Sequence, residues 1–417
     1  MSIGLDARNT VCVARQPILD LAGRVYGYEL LYRSSAEATA CTAEGDIAGA
    51  RVLTDAVLSL GLDVLTSGRP AFLNFTRSLL MNGAATLLPP TSVVIELLEN
   101  IAIDNDVVEM CRGLHNKGFA LALDDFEPGS PAESLVPYAS FVKVDVLNVP
   151  ADERKKLAAR LVPRGIRMIA EKVETAEIVE EARTHGYRLF QGYYFCRPKT
   201  FSASSMAGRH MAYLTLLGAL NRDDLGVDEL EDLVKHDVSL SFRVLRSVNS
   251  WLYGLRHEVT SIRHALVLLG IDQIRKWASV WVLAGLNSTG TQETVNVAIL
   301  RARCCELIGD HLVGPDEGPS YFLLGLCSLL DVVLGRPMAE ALSEMPLPAA
   351  LNDALLGEQN DARYVLDAVL AYEQGKWTEA NTAMEALRLP PDLLPGVYAE
   401  ALRWARELLK TTSGGPR

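Results

Sequence analysis

A TIM-like β/α barrel followed by an all-helical domain is the fold class that this sequence predicts, on three observations. Short apolar runs end in polar groups at positions 74, 96, 124, 143, 171 and 191, spaced 22, 28, 19, 28 and 20 residues apart. That leaves room for one strand and one helix each time. The run Phe119-Ala-Leu-Ala-Leu123 has no polar gap, as expected of a strand buried on both faces of a parallel sheet, and it leads straight into Asp124-Asp125. Beyond about residue 198 strand signals fade and apolar residues recur at helical spacing.

The first element is a hairpin. Val11 to Leu19 and Arg24 to Arg33 read as its two strands around a turn at Asp20 to Gly23, and Glu29 interrupts an otherwise apolar and aromatic strand. A helix follows over 46–60, carried by Ile47, Val52, Leu53, Ala56, Val57 and Leu60 and stopped by Gly61. Ala71–Asn74, Val93–Glu96, Phe141–Asp145, Ile166–Glu171 and Arg188–Gln191 supply further strands, with helices over 104–117, 151–162 and 175–185 between them. The polar, small-residue stretch Pro198-Lys-Thr-Phe-Ser-Ala-Ser-Ser205 is the expected junction, dividing 1–202 from 203–417. Helical periods then cover 206–220, 226–235, 239–249, 260–269, 271–286, 292–312, 319–334, 349–355, 361–374 and 397–410, an all-α bundle. The tail from Thr411 is expected to fray.

Composition narrows the function. The 417 residues, 49% of them hydrophobic, suffice for two or three domains. A net charge of -12 argues against nonspecific nucleic-acid or anionic-membrane binding, although bound metal can reverse the field locally for an anionic substrate. Seven cysteines without CxxC spacing, two of them the adjacent Cys304-Cys305, read as reduced thiols of a cytoplasmic protein. The N-terminus has no apolar h-region, and no apolar run reaches the length of a membrane span.

In a β/α barrel the loops after the strands' carboxyl ends meet at one rim. Burying unpaired charge is costly, so Asp124 and Asp125 at a core strand's end need a metal, another cation or open water. Taken singly, each polar residue in the series reads as a solvated or salt-bridged group. Together, on six strands, they describe an acidic, oxygen-rich site at the top of the barrel. No His or Cys belongs to it, which disfavours zinc.

These residues carry a family likeness. Gly27-Tyr-Glu29-Leu-Leu-Tyr-Arg33, Asn74-Phe-Thr, Glu96-Leu-Leu-Glu99, Leu123-Asp124-Asp125-Phe126, Val142-Lys143-Val-Asp145, Ala170-Glu171-Lys-Val-Glu174-Thr and Gln191-Gly-Tyr-Tyr-Phe-Cys-Arg-Pro198 follow the motif order of the EAL domain. The first half therefore resembles the EAL family of cyclic di-GMP phosphodiesterases and their degenerate relatives. The resemblance implies one or two Mg²⁺ or Mn²⁺ ions held by Glu29, Asn74, Glu96 and Asp124, with Asp125 helping a second ion and polarising a water. It further implies that Lys143 positions that water or the phosphate and that Glu171 binds or activates it. Arg33 would contact substrate phosphate, Gln191 would lie beside the water site, and Glu99, Asp145 and Glu174 would support the others. Hard cations and oxygen ligands suit this assignment.

Three departures bear on activity. The family's Gly-Thr-Gly-Tyr-Ser-Ser loop here reads Glu127-Pro-Gly-Ser-Pro-Ala-Glu-Ser134, stiffened by two prolines. Ser34 stands where many members have Trp. Lys172 replaces the glycine after Glu171, and its ammonium has two placements open to it: on a site carboxylate, in competition with metal, or in solvent.

The second half resembles the HDOD domain, through Leu233-Val-Lys-His-Asp237 to Asn249-Ser250 and Ile262-Arg-His-Ala-Leu-Val-Leu-Leu-Gly270 with Ile274-Arg275. His236-Asp237 stands where such proteins have Asp-Pro at a helix start and reads as a cap or surface pair. Where a His-Asp metal pair would be required, the chain has Cys327-Ser-Leu-Leu-Asp331, and His257 with His264 offers no third ligand. Trp251, Trp277 and Trp281 read as core. The EAL–HDOD architecture implies a bacterial signalling protein that hydrolyses cyclic di-GMP to pGpG, with a noncatalytic helical half that contacts signalling partners or a second copy. A catalytically degenerate receptor or scaffold is the alternative.

Overall fold

The computed structural model describes residues 12–33, 61–192, 216–220, 222, 225–235, 244, 261–286, 291–314, 318–343 and 347–413. Outside them lie the helices expected over 46–60 and 239–249, the junction at 198–205, and Ser34, His236-Asp237, Asn249, Ser250, Trp251 and His257. The chain divides into two units, Met1–Phe195 with Ala371–Thr378 and Cys196–Leu370 with Glu379–Arg417.

The first unit is a closed eight-stranded barrel in sequence order. β1 (Cys12–Asp20) and β2 (Val25–Arg33) form the hairpin. Asp20 fixes its turn, its Oδ1 accepting from the amides of Ala22 and Arg24 at 2.9 Å each. β1 runs antiparallel to both neighbours, β2 and β8. The remaining neighbours pair in parallel: β3 (Ala71–Phe75), β4 (Val93–Leu97), β5 (Ala120–Leu123), β6 (Phe141–Asp145), β7 (Arg167–Glu171) and β8 (Leu189–Phe190). Between the strands run α1 (Leu62–Thr66), α2 (Arg77–Met81), α3 (Asn105–Asn116), α4 (Ala151–Leu161) and α5 (Ala176–His185). Thr76, Asp104 and Thr175 cap α2, α3 and α5 by accepting a third-position amide.

One apolar layer fills the barrel. Ile18, Phe72, Val94, Ala122, Phe141, Ile169 and Leu189 supply one residue from every strand except β2. β2 contributes Gly27 at this level, because a Cβ there would sit 2.7 Å from the Pro70 carbonyl and 3.0 Å from the Phe72 ring. Side chains alternate faces with period two. The residue two positions further towards the rim must therefore also point inward: Gln16, Asn74, Glu96, Asp124, Lys143, Glu171 and Gln191. A polar layer is thus stacked on the apolar one by strand geometry alone.

The second unit is helical in its described residues: α6 (Val227–Lys235), α7 (Ile262–Leu269), α8 (Ile271–Leu286), α9 (Gln292–Val313), α10 (Gly318–Cys327), α11 (Leu330–Leu334), α12 (Met338–Ser343), α13 (Ala349–Leu356), α14 (Asp361–Glu373), α15 (Trp377–Ala386) and α16 (Leu393–Ser413). α9 and α10 lie close because Gly325 faces the α9 backbone at Arg301–Ala302 and Gly309 lies under the Tyr321 ring. The run expected as one helix over 319–334 breaks at Ser328, whose hydroxyl bonds back to the Gly325 carbonyl at 2.8 Å. α12 and α15 were not expected, being short segments with weak apolar periodicity. Trp277 and Trp281 are buried, their ring centroids 6.0 Å apart. Among the described residues no helix is long and apolar enough to cross a membrane.

Candidate active site

The polar layer converges on one ammonium. Lys143, on β6, is only 1% exposed, and its Nζ meets Asp124 Oδ1 at 2.9 Å, Glu171 Oε1 at 2.8 Å, Glu29 Oε2 at 3.3 Å and Glu96 Oε1 at still closer range. Glu29 completes its bonds with Asn74 Nδ2 at 3.0 Å and Gln191 Nε2 at 2.7 Å. Gln191 also donates to Gln16 at 2.9 Å. Sheet register brings the partners level: Gln16 opposite Glu29 and Asn74 opposite Glu96.

Four carboxylates around one ammonium leave an excess of negative charge in a low-dielectric place, and the titration of the groups follows. Burial drives the Glu96 carboxyl well above the usual range, with the Glu29 charge adding to it against the pull of Lys143. Burial likewise pushes Glu171 up to about 8, opposed by Lys143 and helped by Asp124 and Glu29. Burial by itself would lower the Lys143 ammonium, but the surrounding carboxylates hold it well above its ordinary value. Asp125 is raised by burial and by its neighbour Asp124.

The donor set fits a hard divalent ion. Asn74 Oδ1 and Glu96 Oε2 are buried oxygens with no hydrogen-bond partner, an expensive arrangement unless something cationic accepts their lone pairs. Among the described residues no group of three or more Asp, Glu, His or Cys side chains is set as a ready metal cage. The carboxylates lean on Lys143 Nζ instead. Asn74 stands beside them, bonded through Nδ2 to Glu29.

A second cation lies at the rim. Lys172 Nζ contacts Asp145 Oδ2 at 2.5 Å and stands 3.7 Å from Asp125 Oδ2. Of the two placements open to it, the carboxylate one holds. The Asp145 bond, first among the causes, raises the Lys172 ammonium. Asp145 also accepts from the Leu147 amide and Asn148 Nδ2, each at 2.8 Å. Asp125 and Lys172 both have positive φ, 39° and 54°. Gly192, directly after Gln191, has φ 149°, and a Cβ there would collide with the Val173 backbone.

The remaining expected residues are spread around this centre. Glu99 and Glu174 are exposed. Glu99 lines a cavity of about 310 Å³ beside Asp124 and Asp125, walled by Ile101, Phe126 and Leu135. Arg33 ends β2, and its side chain lies outside the described residues. Sequence reasoning missed Gln16 and Tyr32, whose hydroxyl donates to the Asn74 carbonyl. Gln16 had a signal, since it stands two residues from Ile18 on an inward parity. In the helical unit Cys327 and Asp331 share no metal-like cluster: burial pushes the Cys327 thiol up to about 12, and Asp331 accepts from the Val332 amide.

Comparison with known proteins places the chain. The EAL domain family matches residues 38–198 and the HDOD domain family residues 210–345. The EAL match begins after Glu29. YuxH of Bacillus subtilis, an uncharacterized protein, is 33% identical over 407 residues, covering 96% of this chain and 99% of its own length. CdgJ of Vibrio cholerae, a cyclic di-GMP phosphodiesterase, is 29% identical, covering 97% of this chain and 94% of its own. BlrP1 of Klebsiella pneumoniae, solved with calcium and cyclic di-GMP, is 25% identical over 48% of this chain and 58% of that one, with a TM-score of 0.38. With an EAL match followed by an HDOD match, and a relative alike over nearly its whole length, this chain belongs to the EAL–HDOD family.

Proposed function

We propose that the barrel binds cyclic di-GMP and hydrolyses one of its two phosphodiesters to give linear pGpG. The observation that carries this reading is the inward polar layer, in which Asn74 Oδ1 and Glu96 Oε2 stay unpartnered beside a cluster with surplus negative charge. Support comes from the relative CdgJ, named a cyclic di-GMP phosphodiesterase.

Glu29, Asn74, Glu96 and Asp124 would hold one Mg²⁺ or Mn²⁺, and Asp125 would serve a second. Such ions supply charge neutralisation at the phosphoryl oxygens and a water acidic enough to attack. Glu171 would take the proton of that water once it is itself ionised, which burial delays to about pH 8. Water's oxygen forms the new bond to phosphorus as the bond to the ribose oxygen breaks; that oxygen takes a proton from solvent, and Glu171 afterwards releases to solvent the proton it took, so the count balances. Lys143 keeps its proton and contributes a fixed positive charge to the crowded phosphoryl group. Gln191 orients Glu29; Arg33 would contact substrate phosphate by the family likeness, and Asp145, Glu99 and Glu174 would support the others. The helical unit, 203–417 by sequence, acts as a noncatalytic regulator that meets partner proteins or a second copy. Buried thiols at Cys111, Cys304, Cys305 and Cys327 accord with a cytoplasmic setting.

A second reading is favoured by one observation. Lys172 reaches Asp125 and grips Asp145, which suits a receptor that binds the nucleotide without turning it over. Incubating the full chain with cyclic di-GMP and Mn²⁺, then separating products by chromatography, tests both. The expected result is pGpG in the wild type and none in Glu29→Ala. Calorimetric binding without product transfers the case to the receptor. Neither binding nor product refutes both.

A further inference from the structure

Lys172 has an unusual set of properties for a rim residue. Its backbone holds φ at +54°, a conformation that disfavours any side chain with a Cβ and suits glycine. Its side chain is 51% exposed, yet its ammonium is docked at 2.5 Å on Asp145, which is only 5% exposed. Asp145 is locked by two further donors, the Leu147 amide and Asn148 Nδ2, so the anchor cannot swing away with the lysine. From that anchor Lys172 Nζ lies 3.7 Å from Asp125 Oδ2. The other oxygen of Asp125, Oδ1, is buried and without a hydrogen-bond partner.

The basin therefore holds two tethered cations with separate territories. Lys143 takes Glu29, Glu96, Asp124 and Glu171, while Lys172 takes Asp145 and reaches Asp125. The buried unpartnered oxygens of Asn74 and Glu96 lie on the Lys143 side, and among the described residues Lys172 has no ion pair with either residue. A divalent ion arriving at Asp125 meets the Lys172 charge a few ångströms away, and like charges at that range oppose one another even when water screens them.

We infer that Lys172 is a built-in cation that occupies the Asp125–Asp145 side of the basin, so that this chain takes one divalent ion tightly, on the Glu29–Asn74–Glu96–Asp124 side, and a second only weakly. The inference rests on the metal reading of the site given above and adds its stoichiometry. Lys172 is on this view a positioning residue, acting on Asp125 through charge.

Manganese titration of the metal-stripped full chain, with free Mn²⁺ read by its paramagnetic resonance signal, tests it without any turnover. The wild type is expected to bind one ion, with a second at least about tenfold weaker, the order that a water-screened unit charge imposes. In Lys172→Gly the second ion should bind at least about tenfold tighter than in the wild type. Glycine adopts the φ at 172 without strain, so loss of folding is not the expected confusion. Lys172→Asn, which tolerates the same backbone, should behave like the glycine variant, and Lys172→Arg like the wild type. Equal second-ion affinity in wild type and both neutral variants overturns the inference and leaves the metal reading standing. An absence of Mn²⁺ binding in every protein overturns the metal reading and this inference together.

Discussion

Replacing Lys143 with Met tests whether one ammonium holds the barrel's polar layer together. The side chains are close in length, so packing is largely kept, while the charge between Glu29, Glu96, Asp124 and Glu171 disappears. Breaking a buried ion pair by removing one partner costs about 3–5 kcal/mol, because the other charge stays buried. For a unit of this size about 2–4 °C of melting temperature corresponds to each kcal/mol, which gives a drop of about 6–20 °C. The effect depends on pH. Glu171 sits near 8 in the folded chain against an ordinary 4.5, so its folded form binds protons more tightly than its unfolded form. Such a group favours folding fully below about 4.5, and that contribution is lost as pH rises towards 8. Without Lys143 the carboxylates repel more strongly when ionised, so the variant's deficit should be large at pH 8 and small at pH 5. Thermal unfolding followed by circular dichroism, in chelator at both pH values, reads it out. A Lys143→Met chain that melts within about 2 °C of the wild type at pH 8, or that loses equally at pH 5, would refute the reasoning.

Further outcomes are expected at other positions. Gln191→Leu removes the buried donor to Glu29 and Gln16, and urea unfolding should show a loss of about 1.5–3 kcal/mol, the worth of a hydrogen bond to a charged group. Gly192→Ala sets a Cβ against the Val173 backbone at φ 149°, so soluble yield or urea midpoint should fall sharply, and an unchanged midpoint would contradict the close approach. Burial pushes the Cys111 and Cys327 thiols up to about 12, so alkylation at pH 8 followed by peptide mass mapping should find both unmodified until denaturant is added.

The barrel was legible because its strands announce themselves locally. Ala71–Asn74, Val93–Glu96 and Phe141–Asp145 are apolar runs that end on polar groups, and each is a strand in the structure. The hairpin around Asp20 was equally plain, since turn chemistry is a property of four or five neighbouring residues. The helical half was read less evenly. α8 and α9 carry long apolar periods and were expected within a residue or so, whereas α15, Trp377–Ala386, has too weak a stripe to stand out.

For the site, sequence determined which residues stand on one inward parity at the strand ends. Period-two geometry turns Phe72 into Asn74, Val94 into Glu96 and Phe141 into Lys143 without reference to any other strand. Only the tertiary structure decided who meets whom. Closure of the sheet sets β1 beside β8 and so joins Gln16 to Gln191 across 175 residues. It also puts Lys143 at the centre of four carboxylates and docks the ammonium of the half-exposed Lys172 on Asp145. Alternation along a strand is fixed by local backbone stereochemistry, but register and closure belong to the whole sheet, and a charge finds its partners only once they exist.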